Sequence, residues 1–188
     1  SSWSCIGHKE EANTGVGATG SVTMTGGTWS KSGESNFIVG DTGNGTMDMS
    51  GGLVEVVPHA AANRGITWIG NRNACTGILN ISGTAEFRSP RFVAAVETGT
   101  SGTLNLNGGT VETSGIAGGL GDSTVNFNGS QIIATGSSSS FIEGLTTVNL
   151  DSGGLKIDSN GFDLVVQQPL AGTGGVIKSG AGRLTLSG

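Results

Sequence analysis

Apolar and polar residues alternate in short runs along most of the chain, and each run ends at a glycine-rich corner. Residues 102–111 show the full pattern, Gly-Thr-Leu-Asn-Leu-Asn-Gly-Gly-Thr-Val. Leu104 and Leu106 flank the polar Asn105, and Gly108 opens the corner. A period of two is typical of a β-strand with one buried face. Glycine suits a sharp bend, because it adopts positive φ without a Cβ clash.

The apolar pair that precedes each corner recurs along the chain. The first members of the pairs are Val22, Met47, Leu79, Leu104, Val125 and Val148. They lie 21 to 32 residues apart, within the range of roughly 20–50 residues that is typical of repeat architectures. This regular spacing predicts a repeat protein whose successive units stack on one another.

Each repeat contains two further apolar runs. One follows the corner, as in residues 110–113, and another ends in glycine or alanine, as in residues 115–118. Three short strands per repeat predict one turn of a parallel, three-sided β-solenoid (β-helix), in which stacked turns bury a continuous core. We therefore expect an all-β single domain over residues 1–188, with about seven coils of about 21–25 residues each.

Two other architectures fit the pattern less well than the solenoid. A helical fold is disfavoured, because no segment keeps a 3.6-residue period and glycine is frequent. An antiparallel sandwich also uses many short strands, but its hairpins favour two-residue Asn-Gly or Asp-Gly turns. The constant order of three strands favours the solenoid.

Strand alternation assigns the faces of the first strand. The residue between the two inward members points outward, and stacking places these residues in one exposed row. The predicted polar ladder is Asp48, Asn80, Asn105, Asn126 and Asn149, with Thr23 at the start. Asparagine side chains at strand spacing can hydrogen-bond along such a row.

The third strand of each repeat predicts an inward core row. Its members are Ile38, Trp68, Phe92, Ile116 and Ile142. Cys5 falls on the same row and is interpreted as a small core residue. Val39, Ile69 and Val93 then point outward, as a contact surface or as scattered surface aliphatics.

Two insertions interrupt the repeat. Residues 8–18 enlarge a corner of the first, partial coil, and residues 57–65 explain the longest spacing. Insertions in solenoids form loops that either carry binding or tolerate variation.

Composition fits many strands joined by tight corners, because 36 of 188 residues are glycine and only 12% are charged. The net charge is −5 and the basic residues are scattered, which argues against a nucleic-acid partner. No apolar run reaches the roughly 18 residues of a membrane span, and no signal peptide opens the chain. The chain begins and ends inside its own pattern, so we expect a fragment or processed piece of a longer repeat protein.

Few residues are candidates for chemistry. Cys5 and Cys75 are predicted to be unpaired thiols, because their positions in the repeat differ. His8 and His59 lie at different corners, so no shared metal or catalytic pair is predicted. The oxygen-rich stretch 40–45 is interpreted as a plain turn, since it lacks the repetition of a calcium-binding roll.

Acidic residues do not form the cluster expected of a solenoid enzyme that cleaves polysaccharides. Asp48 and Asp151 are isolated near strand ends. Arg88 lies close in sequence to Glu86 and, one coil on, to Glu112, and a salt-bridge network explains these charges. The sequence therefore predicts no catalytic, cofactor-binding or metal-binding residue and no cofactor, and it favours a protein that is not an enzyme.

Three stretches resemble two known repeat families. Residues 174–188, Gly-Gly-Val-Ile-Lys-Ser-Gly-Ala-Gly-Arg-Leu-Thr-Leu-Ser-Gly, resemble the autotransporter-associated β-strand repeat, with Arg183 where that family commonly has threonine. Residues 39–52 and 69–83 resemble the repeat associated with type V secretion and PEP-CTERM proteins.

The resemblance implies a right-handed β-solenoid in a large secreted or surface-displayed protein of a Gram-negative-type bacterium. Such repeats act as spacers, stalks or adhesive surfaces and bring no catalytic residues. We therefore expect a stiff structural or adhesive rod, with self-association end to end or laterally, or with surface glycans as partners. The alternative is a polysaccharide-binding or polysaccharide-cleaving module on the same fold. Ice binding is disfavoured, because the outward row is not a threonine lattice.

Overall fold

The computed structural model describes residues 4–8, 17–61 and 64–188. Regular structure in these residues consists of β-strands. Seven short strands are β1 (Ser4–Ile6), β3 (Phe37–Val39), β5 (Thr67–Ile69), β7 (Phe92–Ala94), β9 (Ile116–Gly118), β11 (Ser138–Glu143) and β13 (Leu164–Val166). Six long strands are β2 (Thr19–Lys31), β4 (Asn44–Val56), β6 (Thr76–Arg88), β8 (Ser101–Thr113), β10 (Asp122–Ala134) and β12 (Thr147–Asp158). The last three strands are β14 (Ala171–Gly172), β15 (Val176–Ser179) and β16 (Leu184–Leu186).

The strands form two parallel sheets. The short strands and β16 form one sheet in the order β1-β3-β5-β7-β9-β11-β13-β16. The long strands form the other in the order β14-β12-β10-β8-β6-β4-β2, and β15 pairs with the second half of β12. The predicted all-β parallel solenoid is therefore confirmed, with about six turns in place of the expected seven.

Each long strand supplies two sides of a coil. In the last coil the same path is divided into β14 and β15, which pair with the first and second halves of β12. Glycines with positive φ, such as Gly52 and Gly109, lie where the long strands bend. The two predicted strands on either side of the glycine-rich corner are thus one bent strand.

The register follows the repeat that the sequence predicts. Leu79 of β6 pairs with Leu104 of β8, which pairs with Val125 of β10. Leu106 pairs in the same way with Phe127. These side chains are almost completely buried in one core that runs through the stack. One turn cannot bury its own apolar face, so the stacking of turns is what stabilises the fold.

The inward column of the short-strand sheet differs in part from the prediction. Phe92, Ile116 and Ile142 lie in one register and belong to the core. The two coils before them continue this column with Phe37 and Thr67. Thr67 is buried there because its hydroxyl donates a hydrogen bond to the Ser89 hydroxyl at 2.9 Å.

The predictions that Trp68 and Cys5 face the core are wrong. Cys5 pairs with Ile38, Ile38 with Trp68, and Trp68 with Val93, so these residues form an outward column. Trp68 is half-buried between a buried threonine and a buried isoleucine, and Ile38, although fully buried, is not part of the core cluster. The inward positions belong to the strand ends, including Val39 and Ile69, which were expected to point outward.

The second insertion leaves the stack between β4 and β5. Val57 still donates its backbone amide to the Lys31 carbonyl, and an exposed ion pair joins Arg64 to Glu34 at 3.2 Å. The first insertion, residues 8–18, lies mostly outside the described residues, which include only His8 and the stretch 17–18 of it.

Glycine is required where a long strand starts beside the end of a short strand. A Cβ on Gly77 would lie 2.1 Å from the Val39 carbonyl oxygen, and a Cβ on Gly102 would lie 2.2 Å from the Ile69 carbonyl oxygen. Both neighbours are backbone atoms, which cannot move aside without disturbing the sheet. At this edge the backbones of the two sheets are therefore in direct contact, with no side chain between them.

Candidate functional site

The outward polar row is a continuous chain of side-chain hydrogen bonds. Asn80 donates from Nδ2 to Asp48 Oδ1 at 2.6 Å, and Asn105 donates to Asn80 at 2.6 Å. Asn126 donates to Asn105 at 2.5 Å, and Asn149 donates to Asn126 at 2.7 Å. Every amide donates toward the N-terminal end of the stack, so the row has a direction.

The residues at its two ends determine the extent of this ladder. Asp48 has only acceptor oxygens when it is ionised, so it can begin the row but not continue it. The next register position after Asn149 is Ala171, which carries no amide side chain. Because each side chain of this ladder is bonded to a neighbouring coil, the ladder supports the stack.

A second polar cluster lies at the corner that follows β1 and β3. Gly7 and Gly40, both with positive φ, end these strands, and the Gly40 amide donates to the Ile6 carbonyl. This pairing places His8 beside Asp41, and Cys5 lies on the outward column just before the corner. The ligand atoms of Cys5, His8 and Asp41 all lie within 4.8 Å of one another.

Asp41 is the centre of this corner cluster, which comprises Cys5, His8 and Asp41. Its side chain is only 1% exposed. Oδ1 accepts from Asn71 Nδ2 at 2.6 Å and from Arg72 Nε at 3.2 Å. Oδ2 bonds to His8 Nδ1 at 2.8 Å and accepts from Arg72 at 3.3 Å. Burial raises the pKa of Asp41, but the hydrogen bonds from Asn71, His8 and Arg72 outweigh burial and hold that pKa below its ordinary value.

Both cysteines are free thiols. Burial, followed by the negative charge of Asp41, raises the pKa of Cys5 to about 11. Burial likewise raises the pKa of Cys75, whose Sγ lies 3.3 Å from the Gly40 carbonyl oxygen as a donor. Protonated thiols are poor nucleophiles, so Cys5 beside His8 does not form an activated Cys–His pair. Thiol, imidazole and carboxylate together are, however, a ligand set for a soft divalent metal ion.

A charged cleft of about 450 Å³ lies where the second insertion leaves the stack. Glu55, Arg88 and Glu112 occupy successive coils at one register position and line it, together with Pro58 and Pro90.

Arg88 is bound on both sides in this cleft. It contacts Glu86 at 3.1 Å and Glu112 at 3.3 Å. The second contact is an ion pair without good hydrogen-bond geometry at Nε. Both partners of Arg88 are partly exposed, so these ion pairs are expected to contribute little to the free energy of folding.

The structure does not bring the other candidate residues together. Asp48 begins the polar ladder, whereas Asp151 lies four coils further along the stack. His59 accepts from the Ala61 amide at 3.1 Å and does not share a partner with His8.

The tryptophans do not form an exposed sugar-stacking surface in the part of the chain that is described. Trp29 packs edge-on against Phe37, with ring centroids 5.1 Å apart. Trp68 lies on the outward column and is half-buried, and Trp3 lies outside the described residues.

Sequence reasoning missed the corner cluster, because it compared histidines with each other and not with the acidic residue one coil on. The signal was in the alignment of Ser4-Cys5-Ile6-Gly7 with Phe37-Ile38-Val39-Gly40. That alignment places His8 and Asp41 at the same position after the glycine.

Within the described residues there is no helix of the length and hydropathy that a membrane crossing requires. Comparison of the chain with family models, curated proteins and solved structures found no match.

Proposed function

We propose that this chain is a structural or adhesive β-solenoid of the extracellular space or cell surface, which acts as a stiff rod. The observation that carries the proposal is the unbroken parallel pairing of all the short strands from β1 to β16. A stack of this kind resists bending and local opening, because each turn is held by its neighbours.

The polar ladder supports the same role. Its four amide bonds occupy the outer face where a solenoid enzyme would place its acidic residues. Each of these side chains is hydrogen-bonded to a neighbouring coil, so this face can stabilise the stack and contact another surface.

End-to-end association is part of the proposal. Val176 and Leu186 pair with the fully buried Leu155 and Val166, so they continue the core column. They are nevertheless 37% and 56% exposed, and a further coil, of a longer parent chain or of a second copy, would cover them. An open coil also presents unpaired backbone groups. A second copy that adds its first coil there extends the column, and a head-to-tail contact of this kind propagates into a filament.

Negative-stain electron microscopy and analytical ultracentrifugation over a range of protein concentrations test the rod and its assembly. We expect rods that lengthen with concentration, and we expect Leu186→Asp to prevent lengthening by placing a charge at the end of the column. Leu120→Asp is the matched control, because Leu120 is 76% exposed at a corner away from the column. Monomers at every concentration, or an equal effect of both variants, contradict end-to-end stacking.

Glycan binding in the charged cleft is the second candidate function. The cleft combines acidic side chains, Arg88 and two prolines at the base of an insertion, where solenoids often bind ligands. Binding to a polysaccharide panel, lost in Glu112→Gln and kept in Asp48→Asn, would support it. Depolymerisation of any polysaccharide in the panel would favour an enzyme over a rod.

A further inference from the structure

The corner cluster joins residues that are distant in sequence. Cys5 belongs to β1, His8 follows the glycine that ends β1, and Asp41 follows the glycine that ends β3. Backbone pairing between β1 and β3 fixes their relative positions, so the cluster depends on the most regular part of the fold.

We propose that Cys5, His8 and Asp41 form a binding site for a divalent transition-metal ion of the zinc type. Their ligand atoms lie within 4.8 Å of one another, which leaves room for one ion bound by all three. Sulfur, nitrogen and oxygen ligands together select zinc-like ions over calcium or magnesium, which prefer all-oxygen sites. Three protein ligands leave the fourth tetrahedral position to water.

The surroundings of Asp41 resemble the outer shell of a metal site. Asn71 and Arg72 hold Oδ1, so the carboxylate is oriented from behind. Oδ2 contacts His8 Nδ1 and also accepts from Arg72 at 3.3 Å, and an ion would take the place of the proton between Oδ2 and Nδ1. Outer-shell hydrogen bonds of this type fix ligand orientation and commonly affect affinity 10-fold to 100-fold.

The two acidic ligands can carry charge that a cation neutralises, while Arg72 and Lys31 lower the affinity. When the ion binds, the Cys5 thiol releases its proton to solvent as the sulfur–metal bond forms. The thiolate and Asp41 then supply two negative charges, and the positive charges of Arg72 and, more weakly, Lys31 also act on Cys5. A divalent cation is accommodated by this set, whereas the metal-free corner keeps a neutral thiol.

The site would fasten the first strand of the solenoid. Among the described strands, β1 lies at the edge of its sheet and pairs only with β3. His8 and Asp41 are separated by 33 positions in sequence, so a metal bound by both ties this edge to the next coil. Metal binding here is independent of the proposed rod function, because it depends only on the corner cluster.

Titration of the full chain with Co²⁺, after removal of metal by a chelator, tests the proposal. Cobalt bound to a thiolate gives a sulfur-to-metal charge-transfer band, and tetrahedral cobalt gives intense visible bands. We expect one equivalent of Co²⁺ to give both, and Zn²⁺ to displace it. Both signals should be lost in Cys5→Ser, and affinity should fall more than about tenfold in His8→Ala.

Two matched controls separate this site from other thiols and imidazoles. Cys75→Ser and His59→Ala remove the same chemical groups outside the cluster, so we expect both to retain the cobalt spectrum. His8 is 45% exposed, so His8→Ala removes a ligand without disturbing the core. The proposal is overturned if the wild-type chain shows no charge-transfer band. It is also overturned if the band persists in Cys5→Ser, or if His8→Ala binds as tightly as wild type.

Discussion

Removal of one amide from the middle of the polar ladder is expected to cost more than removal of the amide at its end. Asn105→Ala deletes two hydrogen bonds, the one donated to Asn80 at 2.6 Å and the one accepted from Asn126 at 2.5 Å. Asn149→Ala deletes only the bond donated to Asn126 at 2.7 Å. Both variants make the same chemical change in a long strand, so they form a matched pair.

The magnitude follows from the number of bonds and their exposure. A hydrogen bond contributes about 0.5–1.5 kcal/mol net to folding, and partial exposure of Asn105 lets water replace part of each lost bond. We therefore expect Asn105→Ala to lower the free energy of unfolding by about 1–2 kcal/mol and Asn149→Ala by about 0.5–1 kcal/mol. Cooperative polarisation along the row would widen the difference.

Equilibrium urea unfolding followed by far-ultraviolet circular dichroism measures both variants. Amide hydrogen exchange in β8 and β12 shows whether the loss is local, since a stack of repeats need not unfold as one unit. Asp48→Asn serves as a third variant, because it keeps the acceptor for Asn80 and should change stability little. An Asn105→Ala loss no larger than that of Asn149→Ala would refute the idea that the ladder acts as a connected chain.

Two further predictions address the glycine edge and the corner cluster. Gly102→Ala places a Cβ 2.2 Å from the Ile69 carbonyl oxygen. We expect it to lower the free energy of unfolding by about 1–3 kcal/mol. Gly136→Ala, which meets no atom within 4 Å, should stay within about 0.5 kcal/mol of wild type, and equal losses in calorimetry would contradict the steric argument. In chelator-treated protein, the stability that Asp41 contributes is present above about pH 4, the ordinary aspartate range, and is lost as the pH falls through its lower folded pKa. Urea midpoints measured against pH should therefore fall more steeply in wild type than in Asp41→Asn, and parallel profiles would contradict the assigned direction.

The register of the long strands could be predicted from the sequence, because apolar and polar residues alternate strictly there. Leu104 and Leu106 flank Asn105, and only one face assignment buries both leucines. The coil-to-coil pairing then follows by alignment of these pairs, and it agrees with the structure for Leu79, Leu104 and Val125.

The faces of the short strands could not be predicted in the same way. Phe37, Ile38 and Val39 are all apolar, so a strand of three residues contains no alternation from which to choose. At Trp68 the larger apolar side chain suggested the core, yet Thr67 takes the inward position through its bond to Ser89. Hydrogen bonding between coils determines this choice, and it is not visible within one repeat.

The amide ladder has an electrical consequence for the solenoid. Its side-chain dipoles point the same way along the stack, with their N–H ends toward the N-terminal coils. Asp48 places a carboxylate at the positive end of this row, as an acidic residue does at the start of a helix. The outer face therefore carries an electrical polarity of its own, and two solenoids lying side by side would differ in lateral attraction according to whether they run parallel or antiparallel.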